Sequence, residues 1–158
     1  MMVTGPTHCA VCLGMTQGAI DDLSELARSK RPAFSPKLLG EDPVFQYRFG
    51  ELAVRLAAAR GYTQSVVGWT LEKARSGEPC GPSDVLKLQT MLAYVHHECV
   101  DIIDKAFTLA GSTAVYRSHL LQRRWRDIKC VASHFAANTS CYQALGAALS
   151  GPAPAPAH

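Results

Sequence analysis

Ser83-Asp-Val-Leu-Lys-Leu-Gln-Thr-Met-Leu-Ala-Tyr-Val-His-His-Glu-Cys-Val-Asp-Ile-Ile-Asp-Lys-Ala-Phe-Thr-Leu-Ala-Gly111 is the stretch whose reading decides the fold. Val85, Leu88, Leu92, Val95, Cys99, Ile102, Ala106 and Leu109 recur at three- and four-residue steps for seven turns, which is the period of a helix with one apolar seam. Ser83 can cap its start. Gly111 ends it, because glycine accepts the left-handed geometry of a C-cap. So long a seam is not stable alone and has to pack against other helices.

Working outward, the same period appears three more times. One helix is expected from about Cys9 to Ser29, with Val11, Met15, Ala19, Leu23 and Leu26 on one face. Gly14 and Gly18 lie a turn apart in it and would let a neighbouring backbone come close. Pro32, Pro36 and Gly40 mark a loop. Asp42 before Pro43 then starts a second helix, the carboxylate capping free N–H groups and the proline fitting the first turn. It runs to about Arg75 on Phe45, Phe49, Leu52, Leu56, Ala59, Val66 and Thr70. After a turn at Ser112 to Ser118, a fourth helix is expected from His119 to Phe135 on Leu121, Trp125, Ile128 and Ala132, and a short fifth from Tyr142 to Leu149. No strand pattern is persuasive. The expectation is all-α: an up-down four-helix bundle with a short fifth helix, residues 1–150, and a disordered Pro/Ala tail over 151–158.

The 158 residues suit one domain; 47% are hydrophobic and 18% charged, with a net charge of +3. No apolar run is long enough to span a bilayer, and the N-terminus lacks a basic region ahead of an apolar one, so the expected location is cytoplasmic with no membrane partner. The six cysteines, Cys9, Cys12, Cys80, Cys99, Cys130 and Cys141, are scattered through helical patterns and read as reduced thiols.

Arg117, Arg123, Arg124, Arg126 and Lys129 surround Trp125, but Asp127 can pair with Arg123 or Arg124 along the helix, so a solvated or subunit-facing surface is expected and not a nucleic-acid site. His8, Cys9 and Cys12 could offer zinc ligands, yet no second pair completes a four-ligand set, and no metal is expected. His97, Asp101 and Asp104 share a face of the third helix. Asp101 and Lys105 are spaced for an ordinary ion pair, and a His97–Asp101 dyad is the sharper alternative.

Leu109-Ala-Gly-Ser-Thr-Ala-Val-Tyr-Arg-Ser-His-Leu-Leu-Gln-Arg-Arg-Trp-Arg-Asp-Ile-Lys-Cys-Val-Ala-Ser-His134-Phe-Ala-Ala-Asn138 resembles the end of the acyl-CoA dehydrogenase superfamily, above all its flavin-dependent monooxygenase branch. The matching elements are Ala110-Gly111-Ser112, Leu121-Gln122-Arg123, Arg126-Asp127 and His134 to Asn138. Lys129 stands where many members of that branch have another histidine. The resemblance implies the C-terminal helical domain or subunit of a flavin-dependent oxidoreductase, with FMN or FAD as cofactor and a small, aromatic or secondary-metabolite substrate. It implies that Gly111, Ser112 and Arg126 approach the flavin, often that of a neighbouring subunit, and that His134 is the catalytic base or hydrogen-bond donor. Histidine suits that task because it titrates near neutrality. A glycine followed by serine at a helix end would offer N–H groups to a phosphate. The bundle builds the oligomer in that family, so a dimer or tetramer is expected. The chain opens at the bundle's first helix, so another polypeptide is expected to supply the flavin-binding domains. The alternatives are a flavin-free acid-base enzyme (cyclase, dehydratase or isomerase) using His134 with His97, Asp101, Tyr94 and Tyr116, or a non-catalytic oligomerisation module.

Overall fold

A computed structural model describes residues 4–151. The five helices are α1 (Thr4–Ser29), α2 (Pro43–Ser76), α3 (Pro82–Ala110), α4 (Leu120–Ala132) and α5 (Ser140–Ser150). Three single-turn 3-10 segments, Leu39–Glu41, Gly111–Val115 and Phe135–Ala137, occupy the connections. No strand occurs among the described residues. The expected all-α bundle is the observed one. The tail expected to be disordered lies, beyond Gly151, outside the described residues.

α3 is the central element and packs against each of the other four helices. Leu88, Met91, Leu92, Val95, Cys99, Ile102, Ile103, Ala106 and Ala110 are all buried on it. Both Ile102 and Ile103 are fully buried, so the seam is wider than one stripe. Each of the Leu, Ile, Val and Met side chains among them contributes roughly 1.5–3 kcal/mol of hydrophobic stabilisation.

α2 starts where the sequence indicates. The Asp42 carboxylate accepts from the N–H groups of Val44 (2.7 Å) and Phe45 (3.0 Å), and Pro43 fills the first turn. Gly77, at φ 72°, ends it. α3 starts differently from expectation. Ser83 lies inside the helix, Pro82 opens it, and Gly81 is the cap residue. The Asp84 carboxylate accepts from the Gly81 N–H at 2.9 Å and from the Lys73 ammonium, so the cap is supplied from within the first turn.

The inward face of α1 also differs. Val11 is 52% exposed, while Cys9, Cys12, Leu13, Thr16, Ala19, Ile20, Leu23 and Ala27 are buried. Thr16 enters the core because its hydroxyl donates to the Cys12 carbonyl at 2.8 Å. Gly14 meets nothing within 4 Å. At Gly18 the Arg124 guanidinium crosses α1, where a Cβ would collide with it. Beyond that crossing, Arg124 forks onto Asp22 through Nε (2.5 Å) and Nη2 (3.3 Å), tying α4 to α1.

Candidate functional site

α4 ends at Ala132, and two backbone bonds turn the chain: Ser133 N–H to the Cys130 carbonyl and His134 N–H to the Val131 carbonyl. His134 then caps the Phe135–Ala137 turn, its Nδ1 accepting from the Ala136 N–H at 3.2 Å. A nitrogen that accepts carries no proton, so in the neutral ring the proton sits on Nε2. The turn is tied to α3 by His97, whose Nε2–H donates to the Ala137 carbonyl at 2.9 Å.

Beside this turn lies a cavity of about 400 Å³. Gly5 and His8 of α1, Gln89 and Leu92 of α3, His134 and Phe135 of the turn, and Ser140 and Cys141 of α5 all border it. No carboxylate, ammonium or guanidinium lines it among the described residues. The His134 ring has aromatic neighbours on two sides: His8, stacked at 4.5 Å and 27°, and Phe135 at 4.3 Å and 40°.

Behind His8, at 6.1 Å between ring centres, is His96. It is fully buried, and its Nδ1–H donates to the Leu92 carbonyl at 2.7 Å. Its Nε2 has no partner among the described residues. Burial pushes the His96 pKa below the ordinary 6.5, opposed by the bond to Leu92 and reinforced by the nearby rings of His8, His134 and His97. His96 is therefore neutral at pH 7, an unprotonated Nε2 enclosed by apolar groups.

The other expected site residues lie elsewhere. Gly111 sits at the far end of α3, which climbs about 28 Å from Leu92 to Gly111 at about 1.5 Å per residue. Its φ of 62° and ψ of −153° belong to glycine. Its N–H is already committed to the Thr108 carbonyl, so it is not the open phosphate donor expected at this position. Lys30 reaches the same spot, donating from Nζ to the Ala110 carbonyl at 2.5 Å. An anion here would meet exposed Ser112 and Lys30. Arg126 is exposed on α4 and does not border the His134 cavity.

The remaining clusters resolve into structural roles. Asp101 pairs with Lys105 and with Arg55 Nη1 (2.7 Å), so no His97–Asp101 dyad forms. Asp104 accepts from Trp125 Nε1 and Lys129 Nζ, each at 2.5 Å, which joins α3 to α4. Asp127 pairs with Arg123 at 3.5 Å, as its spacing indicates. Tyr116 is exposed and Tyr94 packs edge-on to Tyr62, both away from the cavity. Burial pushes the Cys9 and Cys12 thiols up to about 12 and Cys99 to about 11, so none is a thiolate at neutral pH. No group of three or more His, Cys, Asp or Glu side chains among the described residues is placed to hold a metal ion. Nor is any helix among them long and apolar enough to cross a membrane.

Sequence reasoning reached His134 by resemblance but missed His8 and His96 as its neighbours. The available signal was His96 itself, four residues beyond Leu92 on the buried seam, where His97 is a step of about 100° off it.

The profile of the acyl-CoA dehydrogenase C-terminal domain matches residues 6–139. An indole-3-acetate monooxygenase from Pseudomonas putida is 26% identical over 149 residues, covering 94% of this chain and 38% of that protein. Among solved structures, XiaF from Streptomyces sp., in complex with FADH2 and glycerol, superposes with a TM-score of 0.88 at 21% identity, over 97% of this chain and 39% of that one. A dibenzothiophene monooxygenase from Paenibacillus sp. A11-2 superposes with a TM-score of 0.80 at 19% identity, over 94% of this chain and 39% of that one. At these identities the structural likenesses establish the fold. The chain spans well under half the length of these relatives.

Proposed function

Since the chain belongs to the acyl-CoA dehydrogenase C-terminal domain family, we propose that it is the helical-bundle part of a flavin-dependent monooxygenase acting on a small, aromatic or secondary-metabolite substrate. The observation that carries this reading is His134: a ring between His8 and Phe135 at the edge of a cavity free of charged groups, with Nδ1 engaged and Nε2 left to act. The similarity to indole-3-acetate monooxygenase supports the same class.

The cavity suits one side of a flavin ring system and does not enclose one. It offers an imidazole N–H donor, an aromatic flank in Phe135 and amide groups at Gln89 and Asn138. FMN or FAD, when bound, would supply the reducing electrons with which one oxygen atom of O₂ is transferred to the substrate. This chain's part is to position and to donate. While Nδ1 is held by the Ala136 N–H, His134 presents Nε2–H, so it acts as a hydrogen-bond donor and not first as a base.

Gly111 and Ser112 belong to a second contact, while Arg126 stands on α4 between Trp125 and Lys129, whose partner Asp104 lies about 10 Å before Gly111 on α3. About 21 Å along α3 separates His97, which holds the His134 turn, from Gly111, so one flavin ring cannot touch both. Each would serve a different part of the cofactor or a different copy of the chain. That division favours a homo-oligomer, a dimer or tetramer, assembled with a polypeptide segment that supplies the rest of the flavin site.

The test is affinity purification of the tagged chain from its native host, with flavin absorbance and mass spectrometry of whatever accompanies it. Retention of FMN or FAD, reduced several-fold by His134→Ala and separately by Ser112→Ala, is the expected result. A folded chain that retains no flavin and brings down no flavoprotein would sink the reading.

A further inference from the structure

We propose that His8 is a positioning residue for His134: it clamps the ring from α1 and keeps Nε2–H as the edge presented to the cavity. This rests on His134 being the working imidazole of the site.

His134 stands on a connection and not on a helix, and the bond from the Ala136 N–H, at 3.2 Å, comes from its own turn. That bond fixes the ring within its turn, and the turn is held to α3 by the His97–Ala137 bond, which reaches the backbone and not the His134 ring. The two ring contacts differ in the same respect. Phe135 is the adjacent residue, 75% exposed, and travels with His134. His8 alone comes from a long helix. It is seated there by its fully buried neighbours Cys9 and Cys12, which belong to the core shared with α3.

The stack of 4.5 Å and 27° is thus the contact that references the ring plane to the rigid body of the protein. A functional group on a loop is precise only when a rigid element holds it. His8 in turn has the fully buried His96 ring at 6.1 Å. Stacking requires an aromatic face and not a proton. The proposal therefore predicts that phenylalanine replaces His8 in this role and alanine does not.

Nitrogen-15 labelling of the full 158-residue chain, with two-bond proton–nitrogen correlations of the histidine rings, reads the tautomer of His134 directly. In the wild type at alkaline pH, Nδ1 and Nε2 should be widely split, with the proton on Nε2. His8→Phe should keep that split. His8→Ala should move the two nitrogens toward the mixed values of free histidine, while circular dichroism and the amide spectrum of α3 stay unchanged. An unchanged split in His8→Ala would overturn the clamp, since the Ala136 bond would then suffice. A collapse in His8→Phe equal to that in His8→Ala would also overturn it, since the ring face would not be what matters. The readout needs no flavin. If the tautomer pattern holds but His134→Ala leaves flavin retention intact, the flavin reading falls and the clamp stands.

Discussion

Arg124 and Gly18 are partners across two helices. A methyl group at Gly18 would displace the Arg124 guanidinium, which is flexible enough to move but would lose its fork onto Asp22. Asp22 is the more buried partner, 12% exposed at its side chain, and would be left without its cation. Gly18→Ala is expected to cost about 1–3 kcal/mol in urea unfolding, mostly as this unpaired carboxylate. Adding Gly18→Ala to Asp22→Asn should cost far less than the sum of the two, because both act on one interaction. His96 makes a second prediction at this scale. Its folded pKa lies below 6.5, so the folded state binds fewer protons than the unfolded one as pH falls through 6.5. Its contribution is present above pH 6.5 and is lost as pH falls toward the folded value. The slope is at most about 1.4 kcal/mol per pH unit. His96→Leu should flatten the fall in urea midpoint between neutrality and the acid side of 6.5. An equal fall in both proteins would remove His96 as the cause.

At the level of the helices, the C-terminal end of α3 combines two devices. Gly111 adopts a conformation that other residues reach only under strain, and the Lys30 ammonium covers the free Ala110 carbonyl. Gly111→Ala should destabilise by about 1–3 kcal/mol in thermal or urea unfolding. Lys30→Met should cost less, about 0.3–1 kcal/mol, and the difference should shrink as salt is raised. These helices were largely legible in the sequence because the apolar period of α3 and the Asp42-Pro43 start of α2 are local patterns. What was not legible has local reasons too. Thr16 counts as polar in any periodic reading, yet its bond to Cys12 admits it to the core, which turns α1 so that Val11 faces out. The cap of α3 comes from Asp84 inside the helix, so Ser83 looked like the start. His134 was reachable by resemblance. The stack with His8 joins residues 126 positions apart, and no spacing rule encodes it.

For the molecule as a whole, the outward side of α2 is unpaired among the described residues. Val44, Tyr47 and Val54 are each about 70% exposed, with Ala57, Ala58 and Gly61 exposed further along. Under the proposed oligomer this side meets a second copy, where small residues allow close approach. Light scattering is expected to give a mass that is a multiple of 17.0 kDa, reduced by Val54→Asp with unchanged helicity. A single-chain mass for the wild type would remove that expectation.

The cavity has unequal walls. His8, Gln89 and Leu92 stand on α1 and α3, which carry most of the buried core. Ser140, Cys141 and Ala144 stand on α5, an 11-residue helix that packs mainly on α3 and buries only Cys141. Regions with little buried apolar area open at low free energy while the rest of the fold stays intact. Amide protons of α5 should thus exchange with deuterated water far sooner than those of α3, and faster than global unfolding allows. The chamber beside His134 then breathes on its α5 side, and a ligand that bridges α5 to His134 would slow that exchange.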